Sequence, residues 1–168
     1  MSGLGKIAVI TLLLSFCSIL FAADGRTMTI VNNTKVAVTF YFDSFDCMYP
    51  SHGSSDSDER YSMDGLKNYV LDTGSSVKFY EEMNNAVLDG CYQGYHYYKF
   101  HVMFHAAPYI QASIKGKLHM NGGYVSSYTY YSQASTLSQY LKISESGSTF
   151  CINGPKDPSQ PDVVNDSC

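Results

Sequence analysis

The residues with the most chemical reach in this chain are its histidines, its cysteines and a pair of adjacent glutamates. His96, His101 and His105 fall in or beside one aromatic stretch, Cys91–Phe104 (CYQGYHYYKFHVMF). Imidazole can ligate zinc or carry a proton near neutral pH. Read as an extended strand, the stretch sets His101 and His105 on one face, roughly 13 Å apart at strand rise, and turns His96 the other way. Tetrahedral zinc needs three or four converging ligands, so no metal and no cofactor is expected.

Other catalytic groupings lack their partners. Serines are numerous, but none stands in a Gly-x-Ser-x-Gly elbow. Glu81 and Glu82 are neighbours, so on a strand they face opposite sides and cannot form a glycosidase pair locally. No glycine-rich loop cradles a phosphate. The chain is therefore expected to be a binding protein and not an enzyme.

Four cysteines follow the apolar leader: Cys47, Cys91, Cys151 and Cys168. An even number behind a signal peptide predicts two disulfides in an oxidising compartment. Of the three possible connectivities, Cys47–Cys91 with Cys151–Cys168 is preferred. The first closes a long acidic excursion, and the second pins a proline-rich tail.

The elements that must position these residues are strands. In Tyr95–His105, the residues His96, Tyr98, Phe100, Val102 and Phe104 share an apolar face directed at the core. Tyr95, Tyr97, Lys99, His101, Met103 and His105 share the other, amphipathic face. Arg26–Val31 and Val36–Phe42 are predicted to form a hairpin about Asn32–Lys35. Val77–Glu81 is a strand with Val77 and Phe79 inward, and Glu81–Asp89 has room for one helical turn. Pro108 breaks the chain before Tyr109–Leu118, and Asn121-Gly122 marks a tight hairpin into Tyr124–Ser132. Short strands follow at Leu137–Ser144 and Ser148–Ile152. Pro155, Pro158 and Pro161 argue against sheet pairing in the tail. The predicted fold is all-β: an antiparallel β-sandwich or flattened barrel of about eight short strands with two disulfides.

The chain has 168 residues. Residues 1–22 read as a signal peptide: Lys6, an apolar run from Ile7, and small residues at Ala22-Ala23. Residues 23–152 form the β domain, and 153–168 the tail tied by Cys168. Without Lys6, ten basic residues face fifteen acidic ones. That balance excludes nucleic acid, which wants a basic face, and no basic cluster suggests an anionic membrane. The protein is expected to be secreted or periplasmic.

Ser51–Arg60 (SHGSSDSDER) is predicted to be a long acidic surface loop. Calcium is an open question for residues 51–64, but EF-hand spacing fails, with Tyr61 at the glycine position and Lys67 at the bidentate-acid position. Asn32 and Asn165 head glycosylation sequons.

Fifteen tyrosines without a tryptophan point to contact surfaces. The expected binding residues are Tyr95, Tyr97, His101 and His105 together with a ladder of Tyr124, Tyr128 and Tyr130. A protein partner is expected, as for an inhibitor, immunity or effector-like protein. Carbohydrate is the alternative ligand, and a membrane-acting β-sandwich toxin the second alternative.

Overall fold

The computed structural model describes residues 25–105, 107–122, 124–134, 141–143, 147–153, 155–157 and 160–164. The strands are β1 (Gly25–Asn32), β2 (Val38–Asp46), β3 (Arg60–Ser62), β4 (Val70–Leu71), β5 (Ser76–Glu82), β6 (Gly94–Phe104), β7 (Ala107–Asn121), β8 (Tyr124–Ala134), β9 (Leu141–Ile143), β10 (Thr149–Ile152), β11 (Pro155–Asp157) and β12 (Gln160–Val164). A 3-10 turn spans Asp64–Leu66. One five-stranded sheet has the order β3-β5-β1-β10-β9, and the other β4-β2-β6-β7-β8. The expected signal peptide lies outside the described residues.

Alternation builds the core as predicted for β6. His96, Tyr98, Phe100, Val102 and Phe104 are all buried. From the other sheet come Met28, Ile30, Val77, Phe79, Phe150 and Ile152. Phe79 meets Phe100 edge-on at 5.4 Å and Tyr98 at 6.0 Å, so the two inner faces share one apolar interior. Each such side chain, fully buried, contributes about 2–3 kcal/mol.

Five expectations are corrected. First, β1 and β2 are not a hairpin. β1 pairs with β5 antiparallel and with β10 in parallel, whereas β2 pairs with β4 and β6. Their apolar faces therefore oppose each other across the core. The buried Asn32 holds this crossover: its Nδ2 donates to the carbonyls of Val36 (2.8 Å) and Leu71 (3.0 Å), and its Oδ1 accepts from the backbone N–H (3.0 Å) and hydroxyl (2.6 Å) of Thr34. Second, the pairing is mixed, because β3–β5 is also parallel.

Third, Pro108 lies inside β7 and does not end it. The β6–β7 register jumps from Met103↔Gln111 to Phe104↔Ala107, leaving residues 108–110 unmatched on β6. A proline, with no N–H to donate, fits such an irregularity. Fourth, the tail does pair: β11 and β12 form an antiparallel ribbon with a shifted register. Fifth, the helical turn expected within 81–89 is absent, since β5 runs to Glu82 and residues 87–92 form turns.

Cys47 and Cys91 are bridged, with Cα atoms 5.4 Å apart across a separation of 44 residues. Closing a loop of that length contributes about 4 kcal/mol by chain entropy. The expected Cys151–Cys168 partner, Cys168, lies outside the described residues.

Candidate functional site

β6 is the central strand of its sheet, so its outward side chains are flanked by those of β2 and β7. Tyr97 faces Asp46 and Lys117, Tyr95 faces His119, Lys99 faces Ser44 and Lys115, and His101 faces Tyr41 and Ser113. Tyr95 is 51% exposed and Tyr97 41%. Their rings lie 6.2 Å apart. The Lys117 ammonium sits 3.9 Å from the Tyr95 centroid and 5.9 Å from that of Tyr97. Such a cation–π contact contributes about 0.5–1 kcal/mol at an exposed site and holds both rings in place. His119 packs edge-on against Tyr95 at 4.8 Å.

Further along β6 the face becomes a polar network. The β2–β6 register shifts between Phe42 and Ser44, which inserts Asp43 as an extra residue. Asp43 reaches both the Lys99 ammonium at 3.1 Å and His101 Nδ1. The His101 ring stacks on Tyr41 at 4.8 Å. His105, at the end of the row, contacts the Thr39 hydroxyl through Nε2 at 2.6 Å. His101 and His105 thus have separate partners. Among the described residues, no group of three His, Cys, Asp or Glu side chains is placed to hold a metal ion.

The expected tyrosine ladder does not join this face at Tyr130. The β7–β8 register sets Tyr130 opposite Gly116 and Tyr128 opposite Leu118, the core-directed positions of β7. The Tyr130 ring meets Phe150 edge-on at 5.6 Å, and its hydroxyl donates to Glu81 Oε1 at 2.5 Å. A phenol can enter a core when its hydroxyl finds an acceptor, and Glu81 supplies one. The side chains of Tyr124 and Tyr128 lie outside the described set.

The sequence marked Glu81 only as the neighbour of Glu82, not as a buried carboxyl. It is fully buried between the sheets. Arg26 Nε stands 4.0 Å from Oε1, and Tyr98 faces the same carboxyl, although neither the Tyr98 hydroxyl nor Oε2 attains full hydrogen-bond geometry. Burial raises its pKa to about 7 against the pull of Tyr130, Tyr98 and Arg26. The available signal was alternation: with Val77 and Phe79 inward, Glu81 is the next inward position.

His96 is the second buried polar group of note. Its Nδ1–H donates to the Cys47 carbonyl at 2.5 Å, beside the disulfide. Burial lowers its pKa, which favours the neutral ring.

The arrangement offers a solvent-facing aromatic surface with the Lys117 ammonium against its rings. Comparison of the chain with protein-family models, curated proteins and solved structures finds no match.

Proposed function

We propose that this chain is an exported, non-catalytic binding protein that recognises a protein partner through the outer face of the β2-β6-β7-β8 side. The carrying observation is the pair Tyr95 and Tyr97, half exposed and clamped by Lys117. Rigid aromatic anchors lose little entropy on binding and are enriched at the centres of interfaces. Lys99, Lys115 and Lys117 outnumber Asp43 and Asp46 here, so the face is locally cationic in a chain whose net charge is −4. An acidic patch on the partner complements it.

The architecture proposed with this function is a β-sandwich, supported by two sheets that share one core. A second bridge, Cys151–Cys168, would fasten the end of the chain to β10. Export agrees with the Cys47–Cys91 disulfide and the apolar leader.

The test is capture of a partner from the extracellular or periplasmic milieu by the oxidised domain, followed by affinity measurement on the identified complex. The double substitution Tyr95→Ala/Tyr97→Ala is expected to weaken binding at least tenfold while leaving the thermal midpoint within a few degrees of the parent. Equal affinity in the double variant overturns the assignment of the face. Binding on a glycan array, lost in the same variant, favours the carbohydrate alternative.

A further inference from the structure

We propose that a second site, independent of the tyrosine face, binds an organic cation: an alkylammonium or guanidinium group held in the cleft between the Ser54–Arg60 loop and Tyr61 and Tyr69. The cleft has a volume of about 450 Å³ and is lined by Ser54, Asp56, Glu59, Arg60, Tyr61 and Tyr69, among others. That is the size of a small-molecule site.

Its walls are aromatic. The Tyr61 and Tyr69 rings lie 5.0 Å apart, tilted by 59°. Tyr61 is 38% exposed, and Tyr69 packs partly against the core. Burial, with the nearby Tyr61 and Asp72, raises the Tyr69 pKa, so its phenol stays neutral. Phenol rings attract a cation through their electron-rich faces.

The rim carries the carboxylates of Asp56 and Glu59, and its one cation, Arg60, is held by its own neighbours. Arg60 donates from Nε to the Gly53 carbonyl at 2.8 Å and from Nη1 to Thr27 Oγ1 at 3.2 Å, and its guanidinium lies 4.7 Å from the Tyr80 centroid. The carboxylate it approaches is Asp58, at 3.9 Å. Among the described residues, Asp56 and Glu59 form no ion pair, so two carboxylates of the lining stand against the one guanidinium of Arg60 and leave the cleft net negative. The loop is braced by reciprocal backbone hydrogen bonds between Ser55 and Arg60 (2.8 and 2.9 Å), which hold the rim over the tyrosines.

This combination selects among ligands. A phosphate or carboxylate is repelled. Among the described residues no group of three His, Cys, Asp or Glu side chains is placed to hold a metal ion, and a metal ion gains little from tyrosine walls. An organic cation uses both features, with its charge toward Asp56 and Glu59 and its methylenes or guanidinium plane against Tyr61 and Tyr69. A free polyamine and the side chain of a lysine or arginine share that chemistry.

The experiment is calorimetric titration of the mature, oxidised chain, at low salt, with putrescine, with Nα-acetyl-lysine methylamide and with its Nε-acetylated counterpart. Saturable binding of the cationic probes is expected, with none for the Nε-acetylated one. The double substitution Asp56→Asn/Glu59→Gln should weaken binding at least tenfold, and Tyr61→Ala severalfold. Tyr95→Ala/Tyr97→Ala should leave it unchanged, which separates this site from the proposed partner face. Putrescine alone binding marks a polyamine site; binding of the lysine derivative as well marks a side-chain site, and either supports the inference. Absence of saturable binding overturns it. So does calcium chloride binding more tightly than either cation and losing that binding in Asp56→Asn/Glu59→Gln.

Discussion

Tyr130 of β8 donates its hydroxyl to Oε1 of Glu81 on β5, across the interior that separates the two sheets. One hydrogen bond therefore joins an edge strand of one sheet to an inner strand of the other. The Arg26 guanidinium, 5.6 Å from the Tyr130 ring centroid, covers the same spot. The carboxyl is buried enough to favour its proton, and a protonated Glu81 can still accept from Tyr130.

Glu81 should make stability fall as pH rises. Its folded pKa of about 7 lies above the unfolded value of 4.5. Between these values the folded chain binds more protons than the unfolded one, so the stabilisation is full below pH 4.5 and is lost as pH rises through 7. The shift corresponds to about 3 kcal/mol. Urea denaturation of Glu81→Gln between pH 4.5 and 8 should show a flatter profile than the parent. Identical pH slopes in the two proteins would contradict the assignment.

His96 acts in the opposite sense. Its folded pKa is depressed below the usual 6.5, so its contribution is present above pH 6.5 and is lost as pH falls below it. In the parent this loss overlaps the gain from Glu81 on acidification. Glu81→Gln, which removes the opposing titration, should expose it as a decline in stability below pH 6.5. Direct observation comes from the His96 ring resonances, whose titration midpoint should lie below 6.5.

Gly116 should tolerate no side chain. A Cβ there would lie 2.2 Å from Tyr98 Cε1, because the Tyr98 ring lies over its cross-strand partner. Tyr98 is itself wedged against Phe79 and Phe100, so it has little room to yield. Gly116→Ala is expected to cost about 3 kcal/mol. A thermal midpoint equal to the parent's would show that the ring can move aside.

Asn32 should carry no glycan in the folded protein, although it heads a sequon. It is fully buried, and both atoms of its amide are engaged. A sugar on Nδ2 would displace the bonds to Val36 and Leu71. Mass spectrometry of folded protein secreted by a glycosylating host should find Asn32 unmodified. Asn32→Ala should cost about 3 kcal/mol, since it strands buried carbonyl and N–H groups.

Alternation along the chain was enough to divide β6 into a buried and an outward row, and to put Tyr95, Tyr97 and His101 on the outward one. The preference for closing the acidic excursion pointed to Cys47–Cys91 among three connectivities, and Asn121-Gly122 to the turn from β7 to β8, where Gly122 adopts a φ of 61°. These are local properties: a period of two, a loop to be closed, a backbone angle that glycine tolerates. Other features depended on what the rest of the molecule supplies. A tyrosine suits either side of a sheet, so Tyr130 turned inward only because Glu81 waits there with an acceptor. Periodicity names a strand's face but not its neighbour, so β1 could not be assigned to β5 and β10 until the competing apolar faces were buried together. The Tyr95–Tyr97 surface is likewise half legible. Its rings follow from the sequence of β6, but Lys117, which holds them, comes from β7, and pairing across strands is decided by the register of the whole sheet.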